Sequence, residues 1–259
     1  MDSRCLKEVI YTKKFRNENQ KGKFGKNRCE FSIFAEGTIM IEMTTKIFSF
    51  ILILVISTTL AFSQKTTFGI LGGVNFQNMN GRNDAGDKLD YKLITCFHAG
   101  IHLLTPIAPE FYFQPGFIFS TKGANNKNAN PDLKYRLSYL ELPLNIVYRG
   151  EIRDGSVMLG FGPYMAFAVG GKVIFENDVR QDIEFTTVVE ASDYSLTTYF
   201  NPFDAGANIY AGYELESGMF FQLNTQIGLL KINPEDKRIT TSDKIIRNTG
   251  FGLSYGYRF

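Results

Sequence analysis

Cys96, His98 and His102 carry a thiol and two imidazoles, spaced two and then four residues apart, and these are side chains that ligate transition metals. On one face of an extended strand, a spacing of two places neighbours about 6.6 Å apart and a spacing of four about 13 Å apart. The three cannot converge on one tetrahedral ion without ligands from other strands, so no metal is expected. Glu141, Asp204 and Glu214 supply carboxylates that could pair for acid–base catalysis, with Arg258 as an opposing cation. Gly69, Gly72 and Gly73 cluster as glycines do in a phosphate cradle, but such a cradle opens a helix. What these residues can do depends on the elements that carry them.

From Thr66 onward the dominant period is two: apolar residues alternate with small or polar ones, which sends them to opposite faces of a strand. In Thr66–Gln77, Phe68, Ile70, Val74 and Phe76 share one face, and Gly69, Gly73, Asn75 and Gln77 the other. The pattern recurs in Leu93–Leu104, Phe111–Ser120, Tyr139–Tyr148, Ser156–Gly170, Asp204–Leu215, Met219–Leu230 and Gly250–Phe259. Eight strands and no helix are expected. The glycine cluster therefore lies inside a strand, where glycine makes room for bulky neighbours or bends the sheet.

The polar face is rich in glycine and amides, while the other is a nearly unbroken band of Phe, Leu, Ile, Val and Tyr. That pairing suits a barrel with its apolar face on lipid and its polar face in a narrow lumen. The expected links alternate in length: Asn78–Lys92 is long, Thr105–Glu110 short, Thr121–Lys134 long, Arg149–Gly155 short, Gly171–Phe203 long, Glu216–Gly218 short and Lys231–Asn248 long. Long external loops and short periplasmic turns are the habit of outer-membrane barrels, and this order puts both termini in the periplasm. The sequence thus predicts an all-β fold, an eight-stranded antiparallel transmembrane up-and-down β-barrel. An interior this narrow is filled by side chains, so buried charges must pair. His98, His102, Gln114, Glu141, Asn145, Asp204, Asn208, Glu214, Gln222 and Arg258 are expected to form a polar network that plugs the lumen, rather than a catalytic site.

The head of the chain reads differently. Ile47 to Phe62 is an uncharged apolar run after Lys46, followed by small residues up to Ser63. It is too short for a spanning helix and fits a signal peptide cleaved between Ser63 and Gln64. Residues 43–63 are that peptide, 1–42 an upstream extension ahead of a start at Met43, and 64–259 the barrel domain. Residues 1–63 hold ten of the 28 Lys+Arg and six of the 26 Asp+Glu. The formal charge of +2 for the whole chain therefore becomes mildly acidic for the remainder, which argues against nucleic acid as a partner. Of three cysteines only Cys96 stays behind, and one thiol makes no intrachain disulfide.

Tyr139-Leu140-Glu141-Leu142-Pro143-Leu144, then Gly162-Pro163-Tyr164, then Asp204-Ala205-Gly206-Ala207-Asn208 and Ala211-Gly212-Tyr213-Glu214 resemble the PorT-like outer-membrane β-barrel family common in Bacteroidetes. The resemblance runs from about Thr66 to Phe259. It implies an outer-membrane location and an eight-stranded barrel; it does not by itself imply the secretion role of the family's namesake, and it brings no catalytic residues or cofactor. The terminal strand, with Tyr255, Tyr257 and Phe259 on one face, is similar to the signal read by the barrel-assembly machinery. Expected partners are outer-membrane lipid, that machinery and a protein met through the external loops. The lead reading is a non-enzymatic structural or docking barrel; a small-solute channel, an outer-membrane enzyme and a soluble secreted ligand-binding barrel are the alternatives. The longest loop sets Lys172 and Arg180 against Glu176, Asp178, Asp182, Glu184, Glu190 and Asp193. Its segments Lys172–Phe175 and Ile183–Val189 could extend the barrel wall as a hairpin, and the loop could fold over the net-basic Thr121–Lys134 and Lys231–Asn248 to cap the mouth, meet a cationic partner or bind calcium, although no EF-hand spacing is present.

Overall fold

The computed structural model describes residues 66–127, 132–176, 178–193, 197–238 and 244–259. The chain divides at Ala61/Phe62 into two units, and every described residue belongs to the second. The expected upstream extension, signal peptide and Ser63–Gln64 cleavage point lie outside the described residues.

Eight long strands build the second unit: β1 (Thr67–Arg82), β2 (Ile94–Ala108), β3 (Phe111–Asn126), β4 (Leu133–Glu151), β5 (Gly155–Phe175), β6 (Phe203–Leu215), β7 (Met219–Gly228) and β8 (Ile245–Arg258). Each pairs antiparallel with the strand before and the strand after it. The sheet then closes on itself, because β1 also pairs with β8 from Gly69↔Arg258 to Arg82↔Ile245. Closure leaves no edge strand with unpaired backbone groups. Residues 109–110, 152–154 and 216–218 turn the chain at one end, and 83–93, 127–132, 176–202 and 229–244 connect it at the other. At the tightest turn Gly218 takes φ 86°, a left-handed conformation that glycine adopts without steric cost, and its N–H donates to Leu215 O at 2.9 Å.

The alternation seen in the sequence becomes an outside and an inside. Phe161 is 62 % exposed on the outer face of β5, whereas Met158 on the inner face is fully buried. Ile70, Phe97, Ile101, Phe117, Leu223 and Leu253 extend the outer apolar band around the barrel. Inside, bulky side chains lie over glycines of adjacent strands. A methyl on Gly160 would meet the Tyr210 ring, one on Gly69 the His102 ring, and one on Gly256 the Phe220 ring. The glycine row thus gives an eight-stranded lumen space for rings.

The strands run further than the hydropathy signal does. Thr121–Lys134, expected as a loop, is mostly ladder, with Thr121↔Ser138 through Asn126↔Leu133 paired. Backbone pairing does not require an apolar face, so a ladder can continue where the greasy band stops. Likewise Gly171–Phe175 belongs to β5, and Lys172–Ile174 pairs with Arg180–Asp182. Arg180–Asp182 thus takes the place of Ile183–Val189, the segment expected to pair with Lys172–Phe175, and Ile183–Val189 instead splits. Glu184–Phe185 pairs in parallel with Tyr199–Phe200, and Val188–Val189 with Glu235–Asp236. Prolines mark a gap within the wall: β4–β5 pairing lapses after Pro143↔Tyr164 and resumes in the same register at Ile146↔Phe161, beside Pro163, which like Pro143 has no N–H to donate.

Candidate functional site

The lumen is arranged in tiers. At the loop end, β3 places Lys122 with its ammonium 2.9 Å from Glu141 Oε1 of β4 and 3.0 Å from Asp204 Oδ2 of β6, all three side chains at most 2 % exposed. Asn248 Nδ2 donates to Asp204 Oδ2 at 2.9 Å, and Gln226 Nε2 to Glu141 Oε2 at 2.8 Å. The ammonium also sits 4.3 Å from the centre of the Tyr164 ring, a cation–π contact that strengthens when water is excluded. One cation thus holds two buried carboxylates, the condition under which buried charge is tolerated.

Above this tier Met79, Leu137, Tyr139, Val173 and Ile246 from the wall pack with Ile183, Phe200 and Ile232 from the connections. The mouth at the loop end is therefore plugged by apolar side chains. The acidic connection also reaches the basic one between β7 and β8: Lys237 Nζ lies 2.8 Å from Glu190 Oε1, next to the Val188–Val189 and Glu235–Asp236 pairing. Between these connections and the β1–β2 loop is an outward pocket of about 280 Å³ lined in part by Asp84, Tyr91, Tyr135, Tyr199 and Lys244.

Arg238 lines the same pocket, with its guanidinium 5.4 Å from the Tyr199 ring centre and 2.7 Å from Asp236 Oδ2. Hydrogen bonds from Arg238 hold the Asp236 carboxyl below its ordinary value of 3.8. A carboxylate lowered on folding contributes its stabilisation above the unfolded pKa and loses it as pH falls through the folded one. The tether is therefore intact from neutral pH down to about 4 and is lost only in stronger acid. The Asp236 carboxyl ¹³C titration is expected to have a midpoint below 3.8, returning towards that value in Arg238→Gln.

At the turn end Glu214 of β6 receives Arg258 Nε of β8 at 2.8 Å and Arg149 Nη2 of β4 at 3.0 Å. Arg258 Nη1 stands 3.3 Å from His102 Nε2, so this ring nitrogen accepts and Nδ1 carries the proton. Leu104, Val147, Met158, Tyr210 and Phe220 pack with this group and fill the bore.

Between the tiers His98 bridges Asn75 Oδ1, 2.5 Å from Nδ1, and Ser254 Oγ, 2.8 Å from Nε2. Asn224 Nδ2 donates to the same hydroxyl at 2.7 Å. An amide acceptor at Nδ1 fixes the neutral Nδ1–H tautomer, so Nε2 accepts from the serine. Serine, histidine and asparagine stand here in the order of a nucleophile, its base and its orienter. Acyl transfer further requires N–H groups free to bind an oxyanion, but the Ser254 region is paired in the ladders to both β1 and β7. The arrangement holds one ring in one tautomer and links the neighbouring strands β7, β8, β1 and β2 from inside the barrel.

All ten residues expected in the interior are buried there: His98, His102, Gln114, Glu141, Asn145, Asp204, Asn208, Glu214, Gln222 and Arg258. They do not form one network. Glu141 and Asp204 belong to the loop-end tier, Glu214, Arg258 and His102 to the turn-end tier, and His98, Gln114, Asn145, Asn208 and Gln222 border a cavity between them. Tyr255, Tyr257 and Phe259 point outward, 39 to 67 % exposed. Sequence reasoning missed Arg149 and Asn248, at the ends of expected links, and above all Lys122. Its signal was present: it continues the inward series Gln114, Gly116, Ser120 in steps of two, into a stretch read as a loop.

The sequence matches the family model described as "Outer membrane protein beta-barrel domain" over residues 62–233. No curated protein matches it. Among solved structures the chain is similar to Ail, the attachment invasion locus protein of Yersinia pestis, at 12 % identity with a TM-score of 0.34, covering 76 % of this chain and all of that one. A second structure of that protein, in complex with the heparin analogue sucrose octasulfate, gives 12 % identity and a TM-score of 0.36 over the same shares.

Proposed function

Because the chain belongs to the outer membrane protein β-barrel domain family, we propose that it acts there as a closed, non-enzymatic barrel whose contacts with a protein partner are made by the connections at its loop end. The observation that carries this reading is the stopped lumen. Lys122, Glu141 and Asp204 under an apolar plug at one end, and Arg149, Glu214 and Arg258 among apolar side chains at the other, stand where a solute would have to pass. The wall faces lipid, so the mouth is the surface with room for recognition. Its short parallel pairings and the Lys237–Glu190 contact tie the connections to one another, and pre-formed shape lowers the cost of binding.

In this reading the loop end faces outward and both termini face the periplasm, as long loops and short turns dispose themselves in such barrels, and the leader is removed between Ser63 and Gln64. The likeness to PorT-like proteins makes a component of a secretion apparatus the first partner to seek. Planar-bilayer recording of the refolded protein is expected to show a silent barrel; reproducible unit conductance would overturn the closed lumen and restore the channel reading. Photo-crosslinkers placed at Thr187 and Lys237 are expected to give a discrete adduct in native membranes. A crosslinker at Arg153, in a turn, serves as the control. Equal labelling from both ends, or none from the loop end, would remove the docking role.

A further inference from the structure

Between the two ionic tiers lies a cavity of about 80 Å³, lined mostly by neutral polar side chains, with Glu141 at its loop end, from every strand of the wall but β5. Six side chains on its lining, each at least nine-tenths buried, carry an atom that no described group of the protein reaches: Gln77 Oε1, His102 Nδ1, Gln114 Nε2, Asn145 Oδ1, Asn208 Oδ1 and Gln222 Nε2. They come from β1, β2, β3, β4, β6 and β7, so they ring the lumen rather than cluster on one strand. Buried polar groups without partners are rare in folded proteins, and each one costs its full desolvation. Six around one space identify what the space takes: a ligand that both donates and accepts and carries no charge, because the unmet set mixes amide oxygens, amide nitrogens and a ring N–H. The nearest charges, Glu141 and Arg258, are already held by Lys122 and by Glu214.

We propose that this cavity is a hydration site holding a cluster of ordered waters, and that the lumen is a water chamber stopped at both ends rather than a continuously packed core. At about 15 Å³ per water, the volume accommodates about five molecules. With roughly three hydrogen bonds each, they can meet all six groups and one another. Water is favoured over a larger solute because the tiers at both ends bar entry, while single waters pass as the tiers breathe. The inference rests on the closed lumen proposed above, and the two fail separately.

The test is oxygen-17 and deuterium magnetic relaxation dispersion on the protein refolded in detergent micelles, which counts waters held far longer than surface hydration. About five long-lived waters are expected, with side-chain amide resonances of Gln114, Asn145, Asn208 and Gln222 showing cross-relaxation to water. Replacing two donors of the ring by apolar groups of similar length, Gln114→Met with Gln222→Met, is expected to lower the count by one or two while the barrel stays folded. A count of zero or one in the unaltered protein overturns the chamber even if the barrel is silent in bilayers. Waters that are present but exchange as fast as surface hydration overturn the stops, and conductance would accompany that result. An unchanged count in the double variant would place the waters elsewhere.

Discussion

Lys122→Met is expected to destabilise the barrel by about 3–5 kcal/mol, the usual cost of removing one partner from a buried ion pair, read as a fall in the urea midpoint in phospholipid vesicles at unchanged slope. Methionine matches the length of the lysine stem, so the packing loss is small and the effect isolates the charge. Without the ammonium, Glu141 and Asp204 are two like charges in one buried site at the loop end, where among the described residues Gln226, Asn248 and Tyr164 donate to them. The triple change Lys122→Met, Glu141→Gln, Asp204→Asn is expected to recover most of the loss, since replacing a buried charge group with neutral groups of like volume is often neutral or stabilising. A loss below about 1 kcal/mol in the single variant, of the order seen for exposed pairs, would mean that the tier is wet and not a stop.

The second large effect is steric. Gly160→Val is expected to cost about 3 kcal/mol or more, the upper range for overpacked cores, and to lower the yield of folded barrel seen as the compact band in unboiled gel samples. A Cβ at position 160 would stand 2.1 Å from Tyr210 Cε1 and 2.3 Å from its Cζ. The ring cannot move aside cheaply, because its hydroxyl donates to Gln114 Oε1 at 2.8 Å and its faces pack with Leu104, Val147, Met158 and Phe220. Gly170→Ala is the control: no atom lies within 4 Å of the position a Cβ would take there, and a change within about 0.5 kcal/mol is expected. If both variants behave alike, glycine acts through strand propensity and not through room for rings.

Much of this arrangement is legible in the sequence because period-two alternation encodes two facts at once, the strand and its inner face. Phe161 outside and Tyr164 inside follow from counting, as do Glu141, Asn208 and Arg258 within the lumen. The limits of legibility have the same origin. Beyond the apolar band the outer face is free to be polar, so Thr121–Asn126 lost its contrast and read as a loop, taking Lys122 with it. The division of the interior into two charged tiers and a neutral waist is set by register across strands distant in sequence, such as Asn208↔Gly162 and Ser254↔Gln222, which no single strand records. The short parallel pairings of the long connection are likewise non-local; its charge asymmetry hinted at the Lys237–Glu190 contact, while the burial of Ile183 and Phe200 had no periodic signal.

The ladder between β1 and β8 has a consequence for the order of events in folding. It joins Gly69 to Arg258, so the seam of the barrel brings together the two ends of the described chain. Closing a loop of that length costs entropy that no local contact repays, and assemblies dominated by such distant pairings form slowly. Until the seam zips, β1 and β8 are open edges and the apolar band has no continuous surface to present to lipid. Once it does, His98 to Ser254 and His102 to Arg258 rivet it from within. The barrel is thus a latch that can shut only after its last strand has been made, and the partial chain is the form that an assembly factor would have to shelter.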